Sequence, residues 1–253
     1  MFSHAIARKP CRSMVKGITS AKRGKPNFEI ACEQHDDYIL ALQECGLSVT
    51  VLDALEAFPD SCFVEDVALF TPIGAILTHP GTPSRQGEVK FIAEVVNQFY
   101  PYPDIIDAPG HLEAGDIMMV GGHFYIGLSG RTNRQGAQQL IHLLAKQGLS
   151  GSMVNMSGLP HLKRSLSYLE NNNLLTFGEM HHHADFSDYN RIEMSANERY
   201  AASSVWINGT VLVPKGFPEA LATIQSLGYA SREVAMSEFQ KLDGGLSGLS
   251  LRF

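Results

Sequence analysis

Four short apolar strand pairs, each closed by a short turn, recur along this 253-residue chain. Val67 to Phe70 and Ala75 to Thr78 flank Thr71-Pro72-Ile73-Gly74, and Asp116 to Val120 and His123 to Gly127 flank Gly121-Gly122. Ser165 to Leu169 and Leu174 to Phe177 flank Asn171-Asn172-Asn173, and Ser204 to Ile207 and Thr210 to Val213 flank Asn208-Gly209. Gly-Gly and Asn-Gly supply the left-handed conformations that two-residue hairpin turns require.

A helix and a further short strand follow most of these hairpins. Gln86 to Phe99 places Val89, Ile92, Ala93, Val96 and Phe99 at a helical period and precedes Ile105-Ile106. Asn133 to Gln147 does the same with Ala137, Leu140, Ile141 and Leu144, before Met153-Val154. Glu219 to Leu227, closed by Gly228, leads to Glu233-Val234, whereas the third hairpin has a weak helix or none. A fifth unit is split across the termini. Phe2 to Arg8 and Leu246 to Phe253 form its hairpin, and Asn27 to Glu44 its helix, with Ile30, Ala31, Tyr38 and Leu42 inward. Val49 to Val51 forms its last strand. Repetition at this period argues for a radial array, and joining the termini removes exposed sheet edges. The expected fold is α/β, a five-fold pseudosymmetric propeller of ββαβ units around a central channel, one domain over residues 1–253.

Composition narrows the partner. Lys and Arg number 20 against 26 Asp and Glu, and there is no basic block, so nucleic acid and anionic membranes are poor partners. No apolar run approaches the roughly 20 residues of a membrane helix. The N-terminus lacks a signal-peptide core. Cys11, Cys32, Cys45 and Cys62 form no CxxC pair, which suits reduced thiols in a cytoplasmic protein. A small molecule is the expected partner.

Metalloprotease, P-loop, dinucleotide and nucleophile-elbow motifs are absent. What remains is polar clusters at strand entries. In Asp60-Ser61-Cys62-Phe63-Val64-Glu65-Asp66, carboxylates surround an aromatic ring; on a surface turn they would mean nothing, but buried they require a cation such as a planar guanidinium. Gly110 to Asp116, with Glu113, is a second acidic entry. In Arg131-Thr132-Asn133 the last two suit helix capping, while Arg131 opposes the helix dipole. His161 lies in a loop, and Arg85 and Arg134 read equally well as surface residues. The run His181-His182-His183 resembles a metal tract, but three consecutive side chains do not converge easily on one ion. A solvated loop is expected there, and no metal.

The order of these clusters resembles the bacterial-type dimethylarginine dimethylaminohydrolase family of the guanidino-modifying (pentein) superfamily. The resemblance spans the chain through Phe58-Pro59-Asp60-Ser61, Phe63 to Asp66, Glu113 to Gly121, Arg131-Thr132-Asn133, His161-Leu162-Lys163 and Asp243-Gly244-Gly245. It implies an α/β propeller that needs no cofactor and, by family analogy, a homodimer. It implies that Glu65 and Asp66 hold a substrate guanidinium and that Phe63 packs on it. Asp60, Arg85 and Arg131 would hold the amino-acid end, Ile18 would sit on a lid, and the Leu242 carbonyl would add a contact. His161 would be general acid and base with Glu113 beside it.

One position departs from the family. Gly248 stands where the family's nucleophilic cysteine belongs, on what reads as the C-terminal strand, and glycine cannot attack carbon. The resemblance therefore implies hydrolysis of methylated arginines to citrulline, disabled here by an introduced substitution. A related guanidino or ureido hydrolase and a binding-only protein are the alternatives.

Overall fold

The structure, a computed structural model, describes residues 1–158 and 160–253. Its strands form five three-stranded sheets of one topology. In each, a central strand pairs antiparallel with its hairpin partner and parallel with the strand that follows the intervening segment. The chain packs as two compact units, Met1–Val64 with Ser165–Phe253, and Glu65–Arg164.

The first unit holds three sheets. One joins Ser250–Arg252, His4–Arg8 and Ser48–Leu52, so the two ends of the chain share a hairpin. The second is Leu166–Tyr168, Asn173–Thr176 and Asn190–Glu193, and the third is Val205–Ile207, Thr210–Pro214 and Ala230–Val234. The helix Phe28–Glu44 is capped by Asn27, whose side chain accepts from the Ile30 N–H. Its buried stripe is Ala31, Gln34, His35, Tyr38, Ala41 and Leu42. Ile30, expected inward, is 42% exposed: it stands on the helix's first turn, at the edge of that stripe. The third repeat keeps only the one-turn helix Glu179–His182, yet its third strand, Asn190–Glu193, is present.

The second unit holds the remaining two sheets, Ala68–Thr71, Gly74–Leu77 and Asp104–Ile105, and Ile117–Val120, His123–Leu128 and Ser150–Asn155. The helices Val89–Phe99 and Arg134–Lys146 bury Ile92 and Val96, and Ala137, Leu140 and Leu144. Asn133 caps the second, its Oδ1 accepting from the Gly136 N–H at 2.8 Å. Among the described residues, no helix is long and apolar enough to cross a membrane.

The histidine run sits on a helical turn rather than in a loop, because the Glu179–His182 turn closes onto the neighbouring strands. His181 Nδ1 lies 3.0 Å from Thr176 Oγ1, and His183 Nδ1 accepts from the Asp185 N–H. The rings go to separate partners.

One local device recurs in all five repeats. A 3-10 turn precedes the first hairpin strand: Val64–Val67, Ala114–Asp116, Leu162–Arg164, Arg199–Ser203 and Ser247–Leu249. Gly248 is therefore on a turn and not on the strand, which begins at Ser250. The reason is local: Gly248 N–H and Leu249 N–H bond back to the carbonyls of Gly245 and Leu246.

His35 gives the fold an acid-sensitive point. It is 1% exposed, and its Nε2 has no hydrogen-bond partner among the described residues. Burial pushes its pKa down from 6.5 to about 4. The unfolded chain binds this proton near pH 6.5 and the folded chain only near 4, so the contribution is full above 6.5 and is lost as pH falls through that window. About 3 kcal/mol is at stake. Denaturant titrations of His35→Leu should show a flatter loss of stability between pH 6.5 and 4 than the parent; parallel curves would refute this.

Candidate active site

Within the unit Glu65–Arg164, the recurring turns gather charge. Glu65 and Asp66 stand on the turn before Ala68–Thr71, Glu113 precedes the turn before Ile117–Val120, and His161 precedes the turn Leu162–Arg164. His161 Nε2 lies 2.9 Å from Glu113 Oε2 and 3.8 Å from Asp66 Oδ1. Glu113 is fully buried, and Arg131 Nη1 lies 3.4 Å from the same Oε2 while also donating to Thr82 Oγ1. Glu65 pairs with Lys163 Nζ at 2.6 Å.

Arg85 is also in this cluster. Its Nη1 donates to Asp66 Oδ2 at 2.5 Å, while Nε and Nη2 take both oxygens of Glu88 at 3.0 and 2.8 Å. Gly115 lets the chain come close: its N–H donates to Asp66 Oδ1, and a Cβ there would meet that oxygen at 2.7 Å and the His161 ring at 3.0 Å. Asp116 is likewise buried, accepting from Ser129 Oγ and from the Leu162 N–H, which anchors the turn beside His161.

The electrostatics follow from this packing. Burial disfavours the His161 cation, but Asp66, Asp116 and Glu113 outweigh it and raise the pKa to about 9. Burial also opposes the Asp66 anion, yet His161 and Arg85 hold its carboxyl below the usual range. Asp116 goes the other way, pushed by burial to about 6. Oxygen and nitrogen atoms of Asp66, Glu113 and His161 all lie within 4.8 Å of one another, a spacing a cation would fit. With its pKa raised to about 9, His161 itself brings positive charge to that group at neutral pH. The group is thus built to store a proton beside two carboxylates.

The other expected residues lie in the unit of Met1–Val64 and Ser165–Phe253. Asp60 is buried, and its Oδ1 accepts from the Ile18 N–H at 2.9 Å. The segment around Ile18, itself 37% exposed, is tied down next door. Thr19 Oγ1 donates to the Lys241 carbonyl at 2.7 Å, and the Ser20 N–H donates to Asp243 Oδ2 at 2.5 Å. Leu242, between those two anchors, is buried. Phe63 packs edge-on to Phe239, and a Cβ at Gly244 would come within 2.2 Å of its ring, so that glycine is required for packing.

Gly248 is different. A Cβ there would rest 3.4 Å from Phe63 Cδ1, an ordinary contact, and its backbone lies outside the left-handed region. The position has room for a side chain. The nearest hydroxyl on the strand is already committed: Ser250 Oγ is buried against Tyr38 Oη and Arg252 Nη1, both at 2.7 Å. Asp116, Lys163 and Asp243 lie inside motifs the sequence offers, but no role attaches to them there, and Glu88 lies outside every motif.

Comparison with known proteins places the chain. Residues 15–198 match the family model described as N,N dimethylarginine dimethylhydrolase, eukaryotic. The chain is 52% identical to the N(G),N(G)-dimethylarginine dimethylaminohydrolase of Pseudomonas aeruginosa over all of both chains. It superposes with a TM-score of 0.99, over all of both chains at 52% identity, on a cysteine-to-serine variant of that protein complexed with citrulline. The TM-score, identity and coverage are the same for a histidine-to-glycine dimethylarginine dimethylaminohydrolase, an adduct with S-methyl-L-thiocitrulline. The five like sheets and these matches make the fold class the α/β propeller of the penteins. This chain belongs to the dimethylarginine dimethylaminohydrolase family.

Proposed function

We propose that the chain carries the machinery for hydrolysing Nω-methylated arginines to citrulline and methylamine or dimethylamine, lacking only its nucleophile. The observation that carries this reading is the His161–Glu113–Asp66 cluster, its carboxylates buried and the histidine held as its cation. Glu65 and Asp66 hold the guanidinium, and Phe63 packs on it. Asp60, Arg85 and Arg131 serve the amino-acid end, with Ile18 on the lid and the Leu242 carbonyl as a further contact. Of the two arginines, Arg131 is the more exposed, its side chain at 25% against 4%, and makes the carboxylate contact directly.

The reaction needs a thiolate in the place of Gly248. It attacks the guanidinium carbon and forms a C–S bond. His161 gives its proton to the departing amine nitrogen as the C–N bond breaks, leaving a thiouronium. Neutral His161 then takes a proton from water, whose oxygen attacks the same carbon; the C–S bond breaks and citrulline leaves. Gly248 itself favours a second reading, a protein that binds methylarginine without turning it over. A cytoplasmic homodimer is the assembly proposed by family analogy, and light scattering on the purified chain would check the dimer.

Binding tests the carboxylates on the protein as it stands. Glu65→Ala and Asp66→Ala should each weaken methylarginine binding by about 2–4 kcal/mol, since each leaves a buried cation without its partner. Glu65→Ala also leaves Lys163 facing the incoming guanidinium. Calorimetry giving the parent affinity in both variants would remove these residues from the site.

A further inference from the structure

We propose that Glu88 is a positioning residue for this reaction: it holds Arg85 side-on, and through Arg85 it sets the orientation and charge of Asp66. The inference rests on the reading of Asp66 as a guanidinium-binding group. Glu88 lies outside every motif of the family resemblance, yet it is 3% exposed and gives both its oxygens to one guanidinium. Arg85, at 3%, is equally buried.

The geometry divides the arginine. A free guanidinium fork binds a carboxylate through two parallel N–H groups. Glu88 takes that face, and Asp66 receives Nη1 through Oδ2. Asp66 Oδ1 is left to the Gly115 N–H, 3.8 Å from His161 Nε2. Without the Glu88 charge, Arg85 would turn its fork onto Asp66 and draw Oδ1 away from His161. Glu88 also fixes the charge. Two carboxylates against one guanidinium leave the trio net negative, which favours an incoming cation; with glutamine at 88 that excess is gone. His161 would feel both changes. The groups facing it are Asp66, Glu113 and Asp116, with Arg131 sharing Glu113.

The first readout is the His161 titration, followed by NMR in the Gly248 protein without ligand. Glu88→Gln should lower the midpoint by about one pH unit, and Glu88→Asp, which keeps the charge but withdraws it, by less. Glu94→Gln removes an exposed charge from the helix Val89–Phe99 and should change nothing. The second readout is turnover in a Gly248→Cys background, where Glu88→Gln should lower kcat and raise KM, with kcat/KM falling at least about tenfold, and Glu88→Asp should recover part. An unmoved His161 midpoint in folded Glu88→Gln, or in Glu88→Asp should the former not fold, overturns the proposal, as does an equal shift in Glu94→Gln. A Gly248→Cys parent that turns over no methylarginine would instead count against the functional reading, and the titration would still stand on its own.

Discussion

Gly248→Cys should raise citrulline formation from methylarginine on the order of 10⁴–10⁶-fold, the scale of supplying a missing nucleophile. Three local facts support so large an effect. Among the described residues, a Cβ at 248 meets only the Phe63 side chain, at ordinary contact distance, and the backbone there suits an L-residue. A 3-10 turn preceding the strand holds the residue where the other repeats hold Glu65, Glu113 and His161, on or directly beside their own turns. Of the two nearby serines, Ser250 is buried and bonded to Tyr38 and Arg252, and the hydroxyl of Ser247, like any serine, needs stronger activation than a thiol. The check is parallel assay of amine and citrulline from parent and variant. Equal, robust turnover by highly purified Gly248 protein would show that the chemistry uses another group.

His161→Gly in the Gly248→Cys background should cost roughly 10²–10⁴-fold in kcat, the usual scale for a general acid–base group. With a pKa of about 9, His161 is protonated at neutral pH and ready to act first as an acid. Its loss leaves the amine to depart unprotonated and water unactivated. Binding should change far less, since the proposal gives the guanidinium to Glu65 and Asp66, and added imidazole should restore part of the rate. Were His161 only a loop residue, stability would change and turnover would not. Near-normal kcat in the folded double variant would establish that alternative.

Much of the fold was legible because its turns are written in the sequence. Gly121, Asn208 and Gly209 take the positive φ angles that their hairpins demand. The strand Asn190–Glu193 was not legible: its polar Asn190, Arg191 and Glu193 sit on a sheet edge, where no apolar alternation is required. Ile30 misled because hydrophobicity alone does not fix which side of a stripe faces the core. In the site, Asp66, Glu113 and His161 were readable from motif order, and the structure brings them together. Glu88 was hidden because a carboxylate's partner is set by packing. It lies just past Gly87, beyond the end of the helix Pro83–Gln86, so the Arg85 spacing did not read as one helical face. Gly248 was placed on a strand because three glycines near a chain end give no period to distinguish a turn from an extended segment.

The most direct test is an intact-mass and peptide-mapping measurement on Gly248→Cys, His161→Gly protein incubated with S-methyl-L-thiocitrulline. Attack by the thiolate forms the C–S bond and expels methanethiolate, a leaving group that needs no proton, while the missing histidine leaves the adduct without an activated water. A single adduct is expected, on the peptide containing residue 248, and none in the Gly248 parent. No adduct at 248, or modification confined to Cys11, Cys32, Cys45 or Cys62, would contradict the account.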